Sequence, residues 1–198
     1  MLKVPRELFL RTEEMPYAYA DSPLPIGYGQ TTSALHMTAM FCELGGMSPG
    51  QNVLEVGTGR GYMSCVYAEV VAPDDQPEQE WGHVWTVEIV KELAEAATHN
   101  VEKAEYGNRV TVLQGDASIG LPEHAPYDVI IATSAAPDVP LPLTEQLSPG
   151  GVLLIPLGTA HFFQELYRMR KTADRKVTRE NMGGVAFVPM RGRHGWHD

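Results

Sequence analysis

Apolar residues along this chain come in short solid runs separated by stretches of helical period. Val53-Leu54-Glu55-Val56, Val84-Trp85-Thr86-Val87, Val129-Ile130-Ile131-Ala132 and Val152-Leu153-Leu154-Ile155 are such runs. They predict strands over 52–56, 83–88, 127–132 and 152–157, with another over 109–113. Met37, Met40, Phe41 and Leu44 repeat at helical spacing and predict a helix over 32–44, stopped by Gly45-Gly46 and turned by Pro49-Gly50. Tyr62, Met63, Val66, Tyr67 and Val70 predict a helix over 60–71; Val90, Leu93, Ala94, Ala97 and Val101 predict one over 89–104. A short helix near 140–147 and two strand-like stretches, 163–171 and 184–190, complete the pattern. Residues 1–30 are rich in Pro, Tyr and Gly and read as an irregular segment packed on the domain. The acidic stretch 72–82 reads as a mobile loop. Strand and helix alternate, which argues for an α/β fold, a doubly wound, mostly parallel sheet with helices on both faces. Right-handed crossovers then bring the ends of strands 52–56, 83–88 and 109–113 to one edge, where such sheets bind ligands.

Composition narrows the choice. The 198 residues, 43% hydrophobic and 20% charged, fit one globular domain over 1–198. A formal net charge of −10 argues against a nucleic-acid partner. The closest approach to a basic cluster, between Arg168 and Arg179, reads as a solvated edge strand. Cys42 and Cys65 fall on apolar helical patterns and read as buried reduced thiols rather than a disulfide or metal site. There is no apolar run of about 18 residues to cross a membrane and no signal pattern, so the expected compartment is the cytoplasm. No metal is expected; His194 and His197 are only a terminal pair.

The candidate chemistry lies at the strand ends. Strand 52–56 carries Glu55 and runs into Gly57-Thr58-Gly59-Arg60-Gly61. A turn without Cβ atoms lets a ligand lie on the backbone, and the helix behind it offers free N–H groups. The spacing is Gly-x-Gly-x-Gly, not the Gly-x-Gly-x-x-Gly of nicotinamide enzymes. Such a turn suits a nucleoside without phosphates, such as S-adenosyl-L-methionine. Glu88 at the end of strand 83–88 is placed to accept from ribose hydroxyls, or to serve as a helix N-terminal acid. Asp116 is placed to take an adenine amino group, or to act only in its turn. The loop from Thr133 to Val139, with Ser134, would floor the site.

On these residues the chain resembles the protein-L-isoaspartate O-methyltransferase family along nearly its whole length. The resemblance is carried by Val4-Pro5-Arg6, Asp21, Pro23-Leu24-Pro25-Ile26-Gly27-Tyr28-Gly29-Gln30-Thr31, Ser33, Val53 to Gly61, Gly115-Asp116, Ala125-Pro126-Tyr127-Asp128, Ala135-Ala136-Pro137 and Phe187-Val188-Pro189. The Pro-Leu-Pro-Ile-Gly-x-Gly-Gln-Thr block is its most specific part. It implies a Rossmann-like, seven-stranded class I methyltransferase sheet with the last two strands exchanged. It also implies S-adenosyl-L-methionine as methyl donor, S-adenosyl-L-homocysteine as product, and isoaspartyl proteins or peptides as acceptors. The activity would be repair through a succinimide, by a monomer. By the same resemblance Ser33 orients the acceptor carboxylate, unless it is a plain helix N-cap. Thr31, Thr32, Gly29, Thr133 and Ser134 would meet the acceptor, with the backbone of 28–30 pairing with it. Glu55, Gly57, Thr58, Gly59, Gly61, Glu88, Asp116 and Ala117 would meet the cofactor. Three departures stand out: Leu35 replaces the family's proline, Ala117 replaces a glycine, and the helical segment that precedes Val-Pro-Arg in many relatives is nearly missing, reading as a short variant or a displaced start. An aspartate methyltransferase serving one partner peptide, or a cofactor-binding protein without turnover, are the rival readings.

Overall fold

The computed structural model describes residues 1–160 and 163–196; His197 of the terminal histidine pair lies outside them. Seven strands form one sheet: β3 (Asn52–Val56), β4 (His83–Glu88), β5 (Val110–Gln114), β6 (Tyr127–Ala132), β7 (Leu147–Gly158), β8 (Gln164–Lys171) and β9 (Val177–Val185). Their order is β5-β4-β3-β6-β7-β8-β9. The first five are parallel, and β8 and β9 close the sheet antiparallel. The penultimate strand thus lies beside β7 and the last takes the edge, the exchanged order that the resemblance implies. The chain leaves β3 toward β5 and returns to β6 on the other side of β3. That reversal opens a crevice at the carboxyl ends of β3 and β6.

The helices α1 (Leu35–Gly45), α2 (Tyr62–Val71) and α3 (Lys91–Lys103) share one face of the sheet, where Phe41, Cys65, Tyr67 and Val101 meet Val53, Val84, Val129 and Ile131. The opposite face is covered more thinly, by the short α4 (Leu141–Glu145) and 3-10 turns, with Leu143 packed among Leu54, Ile130, Leu153 and Ile155. Both faces of the central strands are therefore apolar, as their solid runs require.

Several expectations shift. Helix α1 begins at Leu35, because residues 30–32 instead form β2 (Gln30–Thr32), a hairpin partner of β1 (Leu24–Gly27). Arg168 and Arg170 lie on β8, one strand in from the edge, while the exposed β9 carries Arg179. Arg168 pairs with Glu180, and Arg179 stacks over the Tyr167 ring at 3.6 Å. The predicted strand 184–190 is displaced: β9 ends at Val185, and among the described residues of the rest of that stretch only Pro189 forms a bridge, to Ala135. The loop 72–82 is fastened rather than loose. Arg109 donates to Asp74 at 2.8 Å and to the Ala72 carbonyl at 3.1 Å, and Trp81 Nε1 donates to the carbonyls of Pro73 and Gln76. Cys42 and Cys65 are free thiols; Cys65 is buried as expected, whereas Cys42 is only half-buried.

Candidate active site

The crevice begins where β3 ends. Gly57 takes φ +100°, and a Cβ there would collide with Thr133 Oγ1. Thr133 follows β6 and donates its hydroxyl to the carbonyls of Gly57 (2.7 Å) and Val56 (3.1 Å). The glycine turn is thus locked onto the neighbouring strand end. Gly61, at φ +94°, starts α2 with no side-chain cap. The first turn of α2 faces the crevice, lined there by Tyr62 and Met63, so its partial positive charge is directed into the site.

Glu88 is the helix N-terminal acid of the two alternatives, and it also holds the glycine turn. One carboxylate oxygen accepts the Gly59 amide at 2.8 Å, and the other accepts the Val90 amide at 2.9 Å, at the start of α3. It lines the crevice at 6% exposure. Burial raises its pKa; the amides of Val90, Gly59 and Ile89 and the Arg191 charge pull the other way. Each oxygen has a further lone pair for a ligand hydroxyl.

Glu55 is placed otherwise than a cofactor contact would be. It is fully buried beneath the turn, outside the crevice lining. It accepts from Ser64 on α2 and from Thr86 Oγ1 on β4 (2.7 Å), and Thr86 in turn meets Thr58 Oγ1 at 2.6 Å. The carboxylate anchors the turn from below. Burial pushes its pKa up to about 7; the two hydroxyls oppose the rise and the Glu88 charge adds to it. Asp116 is also outside the lining, since its oxygens are taken. They accept Ser118 N (2.9 Å), Ser118 Oγ (2.6 Å) and the Arg193 amide (2.8 Å). Burial opposes its charge, but these donors hold its pKa below the usual carboxylate range. Ala117 beside it does line the crevice.

A second cleft adjoins the first. Pro23, Ala34, His36, Met37 and Phe187 line it, and four residues belong to both clefts: Thr31, Ser33, Thr133 and Val188. The seam between the clefts therefore contains Ser33. The serine is not a helix cap, because the N-cap of α1 is Ala34, and no side-chain hydrogen bond among the described residues uses its hydroxyl. Thr32 and Ser134 line the first cleft. Gly29 belongs to neither: it forms the hairpin turn with Tyr28, which is 55% exposed. Among the described residues no group of three His, Cys, Asp or Glu could hold a metal ion.

The residues missed by sequence pattern are Val188, Pro189, Met190 and Arg191, which wall the first cleft, with Arg60 and Ile89. The signal was present in Phe187-Val188-Pro189, whose strand-like composition concealed its role. Met190 N donates to the Ala135 carbonyl at 2.8 Å, and Ala135 N donates to Val188 at 2.8 Å, holding this segment against the loop after β6.

A sequence model of the protein-L-isoaspartate(D-aspartate) O-methyltransferase (PCMT) family matches residues 1–195. The chain belongs to this family. A protein-L-isoaspartate O-methyltransferase of Hyperthermus butylicus is 54% identical over 198 residues, covering 100% of this chain and 82% of the relative. One from Thermococcus onnurineus is 49% identical over 197 residues, covering 86% of its own length. A solved structure named protein-L-isoaspartate O-methyltransferase superposes with TM-score 0.85 at 30% identity, over 98% of this chain and 60% of that one. A Plasmodium falciparum structure bearing the PCMT name, in complex with S-adenosyl-L-homocysteine, superposes with TM-score 0.79 at 23% identity, over 96% and 87% of the two chains. Among the described residues no helix is long and apolar enough to cross a membrane.

Proposed function

We propose that this protein transfers a methyl group from S-adenosyl-L-methionine to the α-carboxylate of L-isoaspartyl residues in proteins or peptides, the first step of their repair through a succinimide. The observation that carries the reading is the pair of clefts sharing Thr31, Ser33, Thr133 and Val188. A two-substrate transfer needs its reactants in adjoining pockets with an opening between them.

The residues of the first cleft suit the donor. Glu88 offers lone pairs for a ribose diol, the uncapped start of α2 offers amides for an anionic end, and Ala117, Val188 and Met190 offer apolar surface for a base. S-adenosyl-L-methionine supplies, when bound, a methyl group on a sulfonium and leaves as S-adenosyl-L-homocysteine. The acceptor's α-carboxylate has an ordinary pKa of about 3.5 and is ionised at neutral pH. No side chain has to take a proton, in keeping with a seam of hydroxyls rather than a base. The Ser33 hydroxyl donates to one acceptor oxygen and leaves the other free to attack. Thr31 borders the same opening, Thr133 holds the glycine turn at its rim, and Phe187 and Met37 exclude water from the acceptor side.

The test pairs an isoaspartyl peptide with its normal aspartyl twin and uses isotopically labelled donor. Label is expected on the isoaspartyl peptide alone. Labelling of neither, with donor binding retained, or of both alike, would overturn the proposal.

A further inference from the structure

Among the described residues two arginines are buried, and their guanidinium ends are held differently, the Nε of each having no hydrogen-bond partner there. Arg109 faces Glu69 and Asp74. Arg6 is 0% exposed, and no ion pair among the described residues involves it. Its guanidinium grips backbone carbonyls instead: Nη1 donates to Ala18 (2.9 Å) and Ala20 (3.2 Å), and Nη2 to Ser22 (3.4 Å) and Ser33 (2.8 Å). It sits 5.6 Å from the centre of the Tyr62 ring, a ring that lines the first cleft. A buried cation with no salt-bridge partner is held chiefly by the dipoles arranged around it, the Asp21 charge acting from farther off, so the carbonyls it gathers are fixed as a set.

The set joins two pieces of chain that meet at the seam. The 18–22 loop carries Asp21, whose Oδ1 accepts the His36 amide and meets His36 Nδ1, both at 2.9 Å. Asp21 thereby caps α1 from a distance, where the helix's own N-cap, Ala34, has no side chain to do so. Ser33 is held on one side by Arg6 through its own carbonyl, and on the other by Asp21 through the start of the helix. Residues 33–34 between these clamps are in neither strand nor helix.

From this we infer that Arg6 is a positioning residue for methyl transfer: it sets the Ser33 hydroxyl at the opening between the clefts, directly and through the loop that carries Asp21. The inference rests on the reading of Ser33 given above. Lysine cannot replace the fork, since one ammonium cannot span four carbonyls.

A double-mutant cycle on the full chain tests it. Arg6→Lys, Ser33→Ala and the double variant are assayed for kcat/KM toward the isoaspartyl peptide, and S-adenosyl-L-homocysteine binding is measured by calorimetry. Arg6→Lys is expected to reduce kcat/KM by about 10- to 100-fold in the native background, with unchanged cofactor affinity, and to have almost no further effect once Ser33 is alanine. Losses that multiply, or a parallel loss of cofactor affinity, would overturn the inference and leave the reading of Ser33 standing. An inert Ser33→Ala would remove both. If Arg6→Lys does not fold, Asp21→Ala replaces it in the same cycle; its carboxylate is 58% exposed, and multiplicative losses there would equally overturn the inference.

Discussion

Glu55 makes a quantitative prediction. It is a carboxylate with no exposure, on the interior strand β3 of the sheet, accepting hydroxyls from Ser64 and Thr86 while its other oxygen has no partner among the described residues. Burial lifts its pKa from 4.5 to about 7. The folded protein therefore holds this proton more tightly than the unfolded chain. Below the unfolded value both states are protonated and the group is neutral to stability. As pH rises from 4.5 toward 7 the unfolded chain ionises first, and stability falls; above about 7 the full loss is expressed. With each pH unit worth about 1.4 kcal/mol, the whole effect is about 3 kcal/mol.

Glu55→Gln keeps the shape and a hydrogen-bond acceptor and removes the titration. Urea unfolding of both proteins, with m-values checked for equality, should show the difference in unfolding free energy moving toward the glutamine variant by about 2–3 kcal/mol between about pH 5 and about pH 8. Taking the difference between variants cancels the titrating groups that do not interact with Glu55, and leaves Glu55 together with its coupling to Glu88. A difference that does not change with pH would refute the reasoning, because it would mean that the buried carboxyl titrates as it does in the unfolded chain.

Three further outcomes follow from the same geometry. Gly57→Ala places a methyl group against Thr133 Oγ1 at φ +100°; cofactor binding measured by calorimetry should weaken at least about tenfold, with partial recovery in the Gly57→Ala/Thr133→Ala double variant, the residue being the strain of the left-handed backbone. Glu88→Ala strips the Gly59 and Val90 amides of their acceptor, and cofactor Kd should rise about 10- to 100-fold, the scale of one or two charge-assisted hydrogen bonds; an unchanged Kd would remove Glu88 from the site. Arg109→Met leaves Glu69, 10% exposed, with only the exposed Lys3 as a cation and loosens the loop 72–82; chemical unfolding should show a loss of about 2–4 kcal/mol with cofactor affinity unchanged, and a loss of affinity would mean that the loop reaches the cleft.

What the sequence disclosed and what it concealed divide along physical lines. The strands β3, β4 and β6 were legible because both of their faces are covered, so every position is under selection for apolar side chains and the runs are solid; the predicted bounds of all three match the observed strands. β9 was misplaced for the opposite reason: at the sheet edge its burial pattern is almost wholly exposed, and a strand without a buried face leaves no period to read. The apolar stretch that drew the prediction to 184–190 is instead the cleft wall formed by Val188 to Met190. The site divides similarly. Gly57 and Glu88 announced themselves because a turn and a strand end constrain residue type locally. Glu55 and Asp116 have the right chemistry in the right places along the chain, yet which way a carboxylate faces depends on donors remote in sequence: Thr86 for the first, the Arg193 amide for the second. The same limit explains Arg6. One residue read along the chain is only a basic side chain in a short motif; its role exists once four carbonyls from positions 18 to 33 converge on it. A family resemblance transfers residues, but the division of labour among them, a place in the cleft lining for Glu88 and support of the frame for Glu55, is decided by packing and has to be read from the fold.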